Sequence, residues 1–296
     1  MNRPYMNMQT NFGIIDTHVH FWDLTLPGTT WPTPEWKPLY RSFRPNDFIK
    51  AAKPAGVTSC IFVEAGTAAE AARFMKETAA SDVVAGIAPY IALTNPQLAR
   101  DLDAWMQNPK VKAVRDRIEG NPDRNFLTQS KILEGLRQVA ERGLVFEFLI
   151  SSYHLPDIAK VYERVPELKG VIEHMGKPDI RSGSDRAVWA RDMKSLAANT
   201  PVLCKLSLSP RVEDLSELVA NPGRGWRVDL IKPYAAELLE QFGANRLMWG
   251  SDYPLIFMES DYSGTLSAMQ QALGSLPEND ERCIFRTTAL RVYGIE

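Results

Sequence analysis

The chain has 296 residues, 45% of them hydrophobic and 24% charged, and its 34 basic and 36 acidic residues leave a net charge of −2. This is the composition of a folded globular protein, and it excludes a disordered chain. Both signs are scattered, so no basic surface for nucleic acid or an anionic membrane is expected. No stretch approaches the length of a membrane span and the first residues lack the apolar core of a secretion signal, so a cytoplasmic protein is expected. Cys60, Cys204 and Cys283 are odd in number and far apart, which reads as reduced thiols rather than a disulfide framework.

In chain order, eight short apolar runs read as strands, at 13–20, 57–64, 83–93, 111–117, 144–150, 168–174, 201–208 and 246–253. Most are nearly continuous in their hydrophobicity, the signature of parallel strands buried on both faces. Between them, 68–81, 95–107, 129–143, 155–166, 185–199 and 227–243 carry apolar residues at three- and four-residue intervals and read as helices. Asn95-Pro96 opens one of these, and Gly143 and Gly243 close two others. Alternation of this kind predicts an α/β fold, a (β/α)8 TIM barrel in a single domain over 1–296 with a short N-terminal extension at 1–12. A doubly wound dinucleotide-binding sheet is disfavoured, because no glycine-rich phosphate turn follows the first strand. The irregular segments Leu24–Pro45 and Ser209–Arg224 fall where a barrel carries its active-site loops, and are candidate lids.

The polar residues fall in register with the predicted strand ends. His18 and His20 end the first strand, Glu64 the second, Arg115 the fourth, His174 the sixth and Asp252 the eighth. Lys205 lies in the seventh, and His154 follows the fifth. Residues two apart on a strand share a face, so Asp16, His18 and His20 are expected to point the same way. One His-x-His pair leaves two readings open, metal ligands or polar residues closing a buried strand. All four histidines of the chain at one barrel mouth favour a metal centre. Zinc suits imidazole and carboxylate ligands, and Asp252 beside a bound water suits a general base, although Gly250–Pro254 is also good turn chemistry.

Asp16-Thr-His-x-His20, Val171-Ile-Glu-His-Met-Gly-Lys-Pro178 and Arg246-Leu-Met-Trp-Gly-Ser-Asp-Tyr-Pro254 together resemble the amidohydrolase superfamily. More narrowly they resemble its branch of lactone hydrolases, which open sugar lactones, pyrone dicarboxylates and sulfomuconolactones. The resemblance implies a catalytic Asp252 and His174, and one divalent ion, Zn2+, with His18, His20, His154, His174 and Asp252 as its ligand set. It also implies substrate contacts from Arg115, Lys205, Tyr253, Trp22 and Glu64. Some members of the branch work without metal, cradling the carbonyl with the same histidines. Glu64 stands where sugar lactonases commonly have glutamine, and Asp116-Arg117 where they have histidine, so an acid-bearing lactone is expected rather than a neutral one.

The expected function is hydrolysis of a small lactone to a hydroxy acid. A zinc-dependent decarboxylase of an unsaturated acid and a non-catalytic, metal-stabilised binding barrel stand as alternatives, because fold does not separate them. Arg117 and Arg124 are further cations available to an anionic substrate or to solvent, and Lys177 is available to such a substrate or to the fold near the strand-six loop. Trp22, Trp31, Trp36 and Tyr40 offer walls for a ring. Barrels of this type often form homo-oligomers, by analogy only.

Overall fold

A computed structural model describes residues 10–27, 29–66 and 69–296. The expected extension at 1–12 lies mostly outside the described residues, as does Ala68 at the head of the second helix.

Eight parallel strands appear where the apolar runs are: β1 Ile14–Val19, β2 Val57–Val63, β3 Val84–Ala88, β4 Ala113–Arg117, β5 Val145–Leu149, β6 Lys169–Ile172, β7 Leu203–Leu206 and β8 Leu247–Trp249. They pair in sequence order as β1-β2-β3 and β4-β5-β6-β7-β8. Two seams join these sheets into a closed barrel. At β3–β4, Ile87 N donates to Lys110 O at 2.7 Å and Arg115 N to Pro89 O at 3.0 Å. At β8–β1, Asp252 N donates to His18 O at 2.9 Å and His20 N to Tyr253 O at 2.6 Å. The second seam ties the two ends that carry the histidine pair and the aspartate.

The helices are α1 Pro45–Ala52, α2 Ala69–Thr78, α3 Leu98–Met106, α4 Ser130–Glu141, α5 Leu155–Arg164, α6 Arg186–Asn199, α7 Leu215–Ala220, α8 Val228–Phe242, α9 Tyr262–Leu273, α10 Glu278–Arg282 and α11 Thr288–Tyr293. Gly243, at φ 68°, ends α8 in a conformation that side chains resist. Asp261 caps α9 by accepting from Gly264 N at 2.6 Å. The sequence reading did not include α1, α9, α10 or α11, nor α7, which lies within the segment read as irregular.

Two apolar layers hold the barrel. The outer layer packs strand residues such as Phe62, Phe146 and Trp249 against the helices. The inner one is small, with Ile15, Ile61, Val63, Ala88, Ala113, Val145, Val171 and Met248 filling the barrel from its N-terminal end. Helix α11 plugs that end with Ala289 and Tyr293. Above the plug the interior turns polar, and there the candidate site begins. Cys60 and Cys204 are buried free thiols and Cys283 is partly buried.

Candidate active site

The tips of β1 and the segments just past β6 and β8 bring His18, His20, His174 and Asp252 to one point. His18 Nε2 lies 3.1 Å from His20 Nε2. Asp252 Oδ1 lies 3.3 Å from His20 Nε2 and 3.7 Å from His18 Nε2. The His174 ring centroid is 4.4 Å from that of His18. Gly250 permits this crowding, since a Cβ there would stand 2.7 Å from His18 Cβ. His174 and Asp252 both adopt positive φ, 51° and 66°, a conformation that costs a non-glycine residue of order 1–3 kcal/mol. The turns past β6 and β8 are thus strained at the two residues that the sequence singles out as catalytic.

The hydrogen bonds set the histidine tautomers. Lys205 has only donors, and its Nζ lies 3.2 Å from His18 Nδ1, so that nitrogen accepts. Val63 O can only accept, and it lies 2.7 Å from His20 Nδ1, so that nitrogen donates. Burial, the largest influence on each, holds His18, His20 and His174 below the usual imidazole range, hence neutral. The only consistent assignment is a one-way chain in which Lys205 donates to His18, His18 to His20, and His20 to the Val63 carbonyl.

Asp252 is buried with neither oxygen in a hydrogen bond. Burial pushes its carboxyl up, but His174, His20 and Lys177 outweigh that and hold it at about 2. It is an ionised carboxylate with unused lone pairs, facing histidine edges.

Beneath the histidines lies a buried charged layer. Lys205 Nζ donates to Glu147 Oε2 at 2.7 Å and to Thr17 O at 2.8 Å. Tyr293 OH donates to Glu147 Oε1 at 2.6 Å. Arg115 grips Glu173 with NH1, at 2.9 and 3.2 Å, and donates through NH2 to Glu64 O at 2.6 Å. Burial lifts Glu173 to about 7 against the pull of Arg115, whereas at Glu147 the field of Lys205 overcomes burial and keeps the carboxyl low.

Several expected site residues stand elsewhere. Arg115 and Lys205 are buried and ion-paired with Glu173 and Glu147 instead of standing free at the mouth. His154 is not in the cluster. It immediately precedes α5, its Nε2 faces Asp123 O at 3.2 Å and its ring packs on Tyr153; the strand-five position inside the barrel is taken by Glu147. Tyr253 points outward into an aromatic group with Phe21, Phe43 and Phe48, leaving only its carbonyl to the site. Asp16 also faces away, bonded to Ser251 N and Tyr262 OH, because a register irregularity between Asp16 and Val19 breaks strict alternation. Trp22 and Glu64 do border a cavity of about 140 Å3, together with Trp31 and Arg117. Glu64 accepts from Tyr90 N, and burial raises it to about 7.

Glu147, Glu173, Ser207 and Tyr293 were not singled out from sequence. The available signal was Glu147 itself, a lone carboxylate within Leu144–Ile150, a run otherwise apolar. Ser207 is hydrogen-bonded to His174 Nδ1. Of the two candidate lids, Leu24–Pro45 packs Trp31 between Trp22 and Trp36, while the other contains α7 and borders a cavity of about 530 Å3 with Arg181, Arg211 and Trp226.

The donor set fits a divalent cation. His18, His20 and Asp252 form one candidate group and His18, Glu173 and His174 another, each with its ligand atoms within 4.8 Å of one another. A cation would satisfy both orphaned Asp252 oxygens and take the lone pair of His20 Nε2 in place of the His18 N–H. His18 joins as a ligand only in the other tautomer, with its Nδ1–H turned toward Glu173 Oε1, 3.6 Å away.

Histidines on the first strand and past the sixth, with an aspartate past the eighth, gather at the mouth of a parallel barrel, and comparison with known proteins gives its family. Residues 15–295 match the amidohydrolase family, and the chain belongs to it. It is 28% identical over 287 residues to L-fucono-1,5-lactonase of Burkholderia ambifaria, covering 95% of this chain and 96% of that protein. It is 24% identical over 251 residues to a 2-pyrone-4,6-dicarboxylate hydrolase of Comamonas testosteroni, covering 82% and 77%. The crystal structure of a zinc-bound amidohydrolase from Burkholderia multivorans superposes with a TM-score of 0.83 at 24% identity, covering 96% of this chain and all of that one. Among the described residues no helix is long and apolar enough to cross a membrane.

Proposed function

We propose that the protein hydrolyses a small lactone, with Asp252 as the base that activates water. The observation that carries this reading is the Asp252 carboxylate, buried, ionised and without a hydrogen-bond partner, directly against His20 and His18. The lactonase relatives support the reaction class.

Asp252 takes a proton from a water while the water oxygen bonds to the ring carbonyl carbon. The carbonyl oxygen gains negative charge, which His174, held at Nδ1 by Ser207 and outside the His18–His20 chain, stabilises through its Nε2 edge in a water-poor site. Collapse breaks the bond between the carbonyl carbon and the ring oxygen, and Asp252 returns its proton to that oxygen. The product is a hydroxy acid. A divalent ion held by His18, His20, His174 and Asp252 supplies Lewis-acid polarisation of the carbonyl when bound. The zinc in the Burkholderia multivorans protein supports zinc as that ion. Arg117 is exposed at the rim and donates to Ala65 O, leaving the rest of its guanidinium toward the cavity it borders. It supports an acid-bearing lactone.

A pH-indicator assay on a lactone panel tests the reading, using wild type and Asp252→Asn. Asparagine tolerates the positive φ at 252 and keeps the volume, so the variant removes the base alone. A loss of about 10²- to 10⁴-fold is expected. Wild-type turnover in the variant overturns the mechanism, and carbon dioxide release in place of acid overturns the reaction class.

A further inference from the structure

We infer that the cavity of about 530 Å3 is a binding site for a neutral ring that carries a hydroxyl, with the ring against Trp226 and the hydroxyl donating to Glu259 Oε2. The inference goes beyond the proposed hydrolysis, since His18, His20, His174 and Asp252 are not among the residues that line this cavity.

The walls come from the segments past β6, β7 and β8, at 178–182, 208–217 and 259, and from 224–230, which leads into α8. Two main-chain hydrogen bonds fix this last segment against the one past β8. Gly223 N donates to Met258 O at 2.7 Å and Gly225 N to Glu259 O at 2.9 Å. Trp226 Nε1 donates to Thr265 Oγ1 on α9 at 2.8 Å, which holds the indole in place. The aromatic wall and the carboxylate are therefore set before a ligand arrives, and binding costs little in ordering.

Glu259 supplies the polar anchor. Its side chain is 4% exposed. Oε1 accepts from the Arg181 guanidinium, whereas Oε2 is buried and has no hydrogen-bond partner among the described residues. Burial, the largest influence, raises its carboxyl above the ordinary range despite the opposing fields of Arg181 and Arg224, as expected of a carboxylate short of donors. A ligand hydroxyl at Oε2 supplies the missing donor; an ether of the same shape does not.

The charges of the lining select a neutral ligand. Arg211 donates to both oxygens of Asp214 at 2.8 Å, and Arg224 donates to Glu217 at 2.7 Å. Arg227 donates to both oxygens of Asp229, at 2.7 and 2.9 Å. With Arg181 on Glu259, each arginine of the lining already has a carboxylate. An anion would have to displace one of these partners, and an organic cation would meet the guanidiniums. Ile180, Leu208 and Leu230 complete an apolar floor beside Trp226, which suits the face of a ring.

The test is titration of phenol, anisole and benzoate into the full ¹⁵N-labelled chain, followed on the Trp226 indole N–H signal, which Trp226→Phe identifies among the 7 tryptophans. At about pH 8 the solution is well above the ordinary carboxylate range, while phenol, like tyrosine, keeps its proton. Phenol is expected to shift this signal and to bind about tenfold or more tightly than anisole, the worth of one hydrogen bond to a charged acceptor, with benzoate weaker than phenol. In Glu259→Met the preference for phenol over anisole is expected to vanish, with the other indole signals in place. Glu259→Gln, whose neutral oxygen is a weaker acceptor, is expected to reduce the preference and serves if Glu259→Met does not fold. Equal binding of phenol and anisole to wild type overturns the inference by leaving only an apolar cavity, and tighter binding of benzoate overturns it in favour of an anion site. No response to phenol, or an undiminished preference in the folded Glu259 variants, overturns it as well.

Discussion

Lys205 Nζ lies 3.2 Å below Nδ1 of His18, with its remaining hydrogens on Glu147 and the Thr17 carbonyl. All three donors of a fully buried cation are consumed inside the barrel. Replacing it by Lys205→Met leaves the Glu147 charge without a counterion, and breaking a buried pair in this way costs about 3–5 kcal/mol. Urea unfolding of the variant checks this; a loss below about 1 kcal/mol would show that Glu147 is neutral in the fold.

Glu64 contributes a pH dependence of known sign. Its carboxyl rises from 4.5 in the unfolded chain to about 7 in the fold, through burial. The native state therefore holds the proton more tightly, and stability falls as pH rises from about 4.5 through about 7. In Glu64→Gln this contribution is absent. The two proteins are expected to match below pH 4.5, with the variant more stable above pH 7 by about 3 kcal/mol. Parallel stability curves for the pair across that window would contradict the assignment.

Arg117 is expected to set preference among substrates rather than rate. Arg117→Gln should raise KM for carboxylate-bearing lactones by about tenfold or more, the worth of one charge-assisted contact, and leave neutral lactones nearly unchanged. Equal effects on both classes would remove it from substrate recognition.

His154 and His20 are both histidines near strand ends, but only His20 faces the cluster. Zinc titration followed calorimetrically should separate them. His154→Gln is expected to retain wild-type affinity, and His20→Gln to lose more than about tenfold, at least what second-shell partners contribute. Loss of zinc binding in His154→Gln would return that residue to the ligand set.

The eight strands were legible because each is buried on both faces, and that demands a continuous apolar run in the sequence itself. His18, His20, His174 and Asp252 were legible for a related reason. A polar residue at the end of such a run has few places to go in a barrel except the mouth. The helices after β8 were missed because α9 is buried on nearly every side and shows little amphipathic contrast, while α10 and α11 are short.

The sequence by itself thus determined the barrel and the mouth on which its chemistry stands, since both follow from local hydrophobic pattern and chain order. Only the tertiary structure decided which ionisable residues face outward to substrate and which are consumed within. Arg115 and Lys205 look like substrate cations on their strands, yet Glu173 and Glu147 claim them. His154 follows its strand closely, yet turns to Asp123. Tyr293, 146 residues along the chain from Glu147, donates to it inside the barrel. Such pairings depend on which strands are neighbours across the barrel and on the cost of leaving a buried charge alone, and neither is encoded in the spacing of residues along the chain.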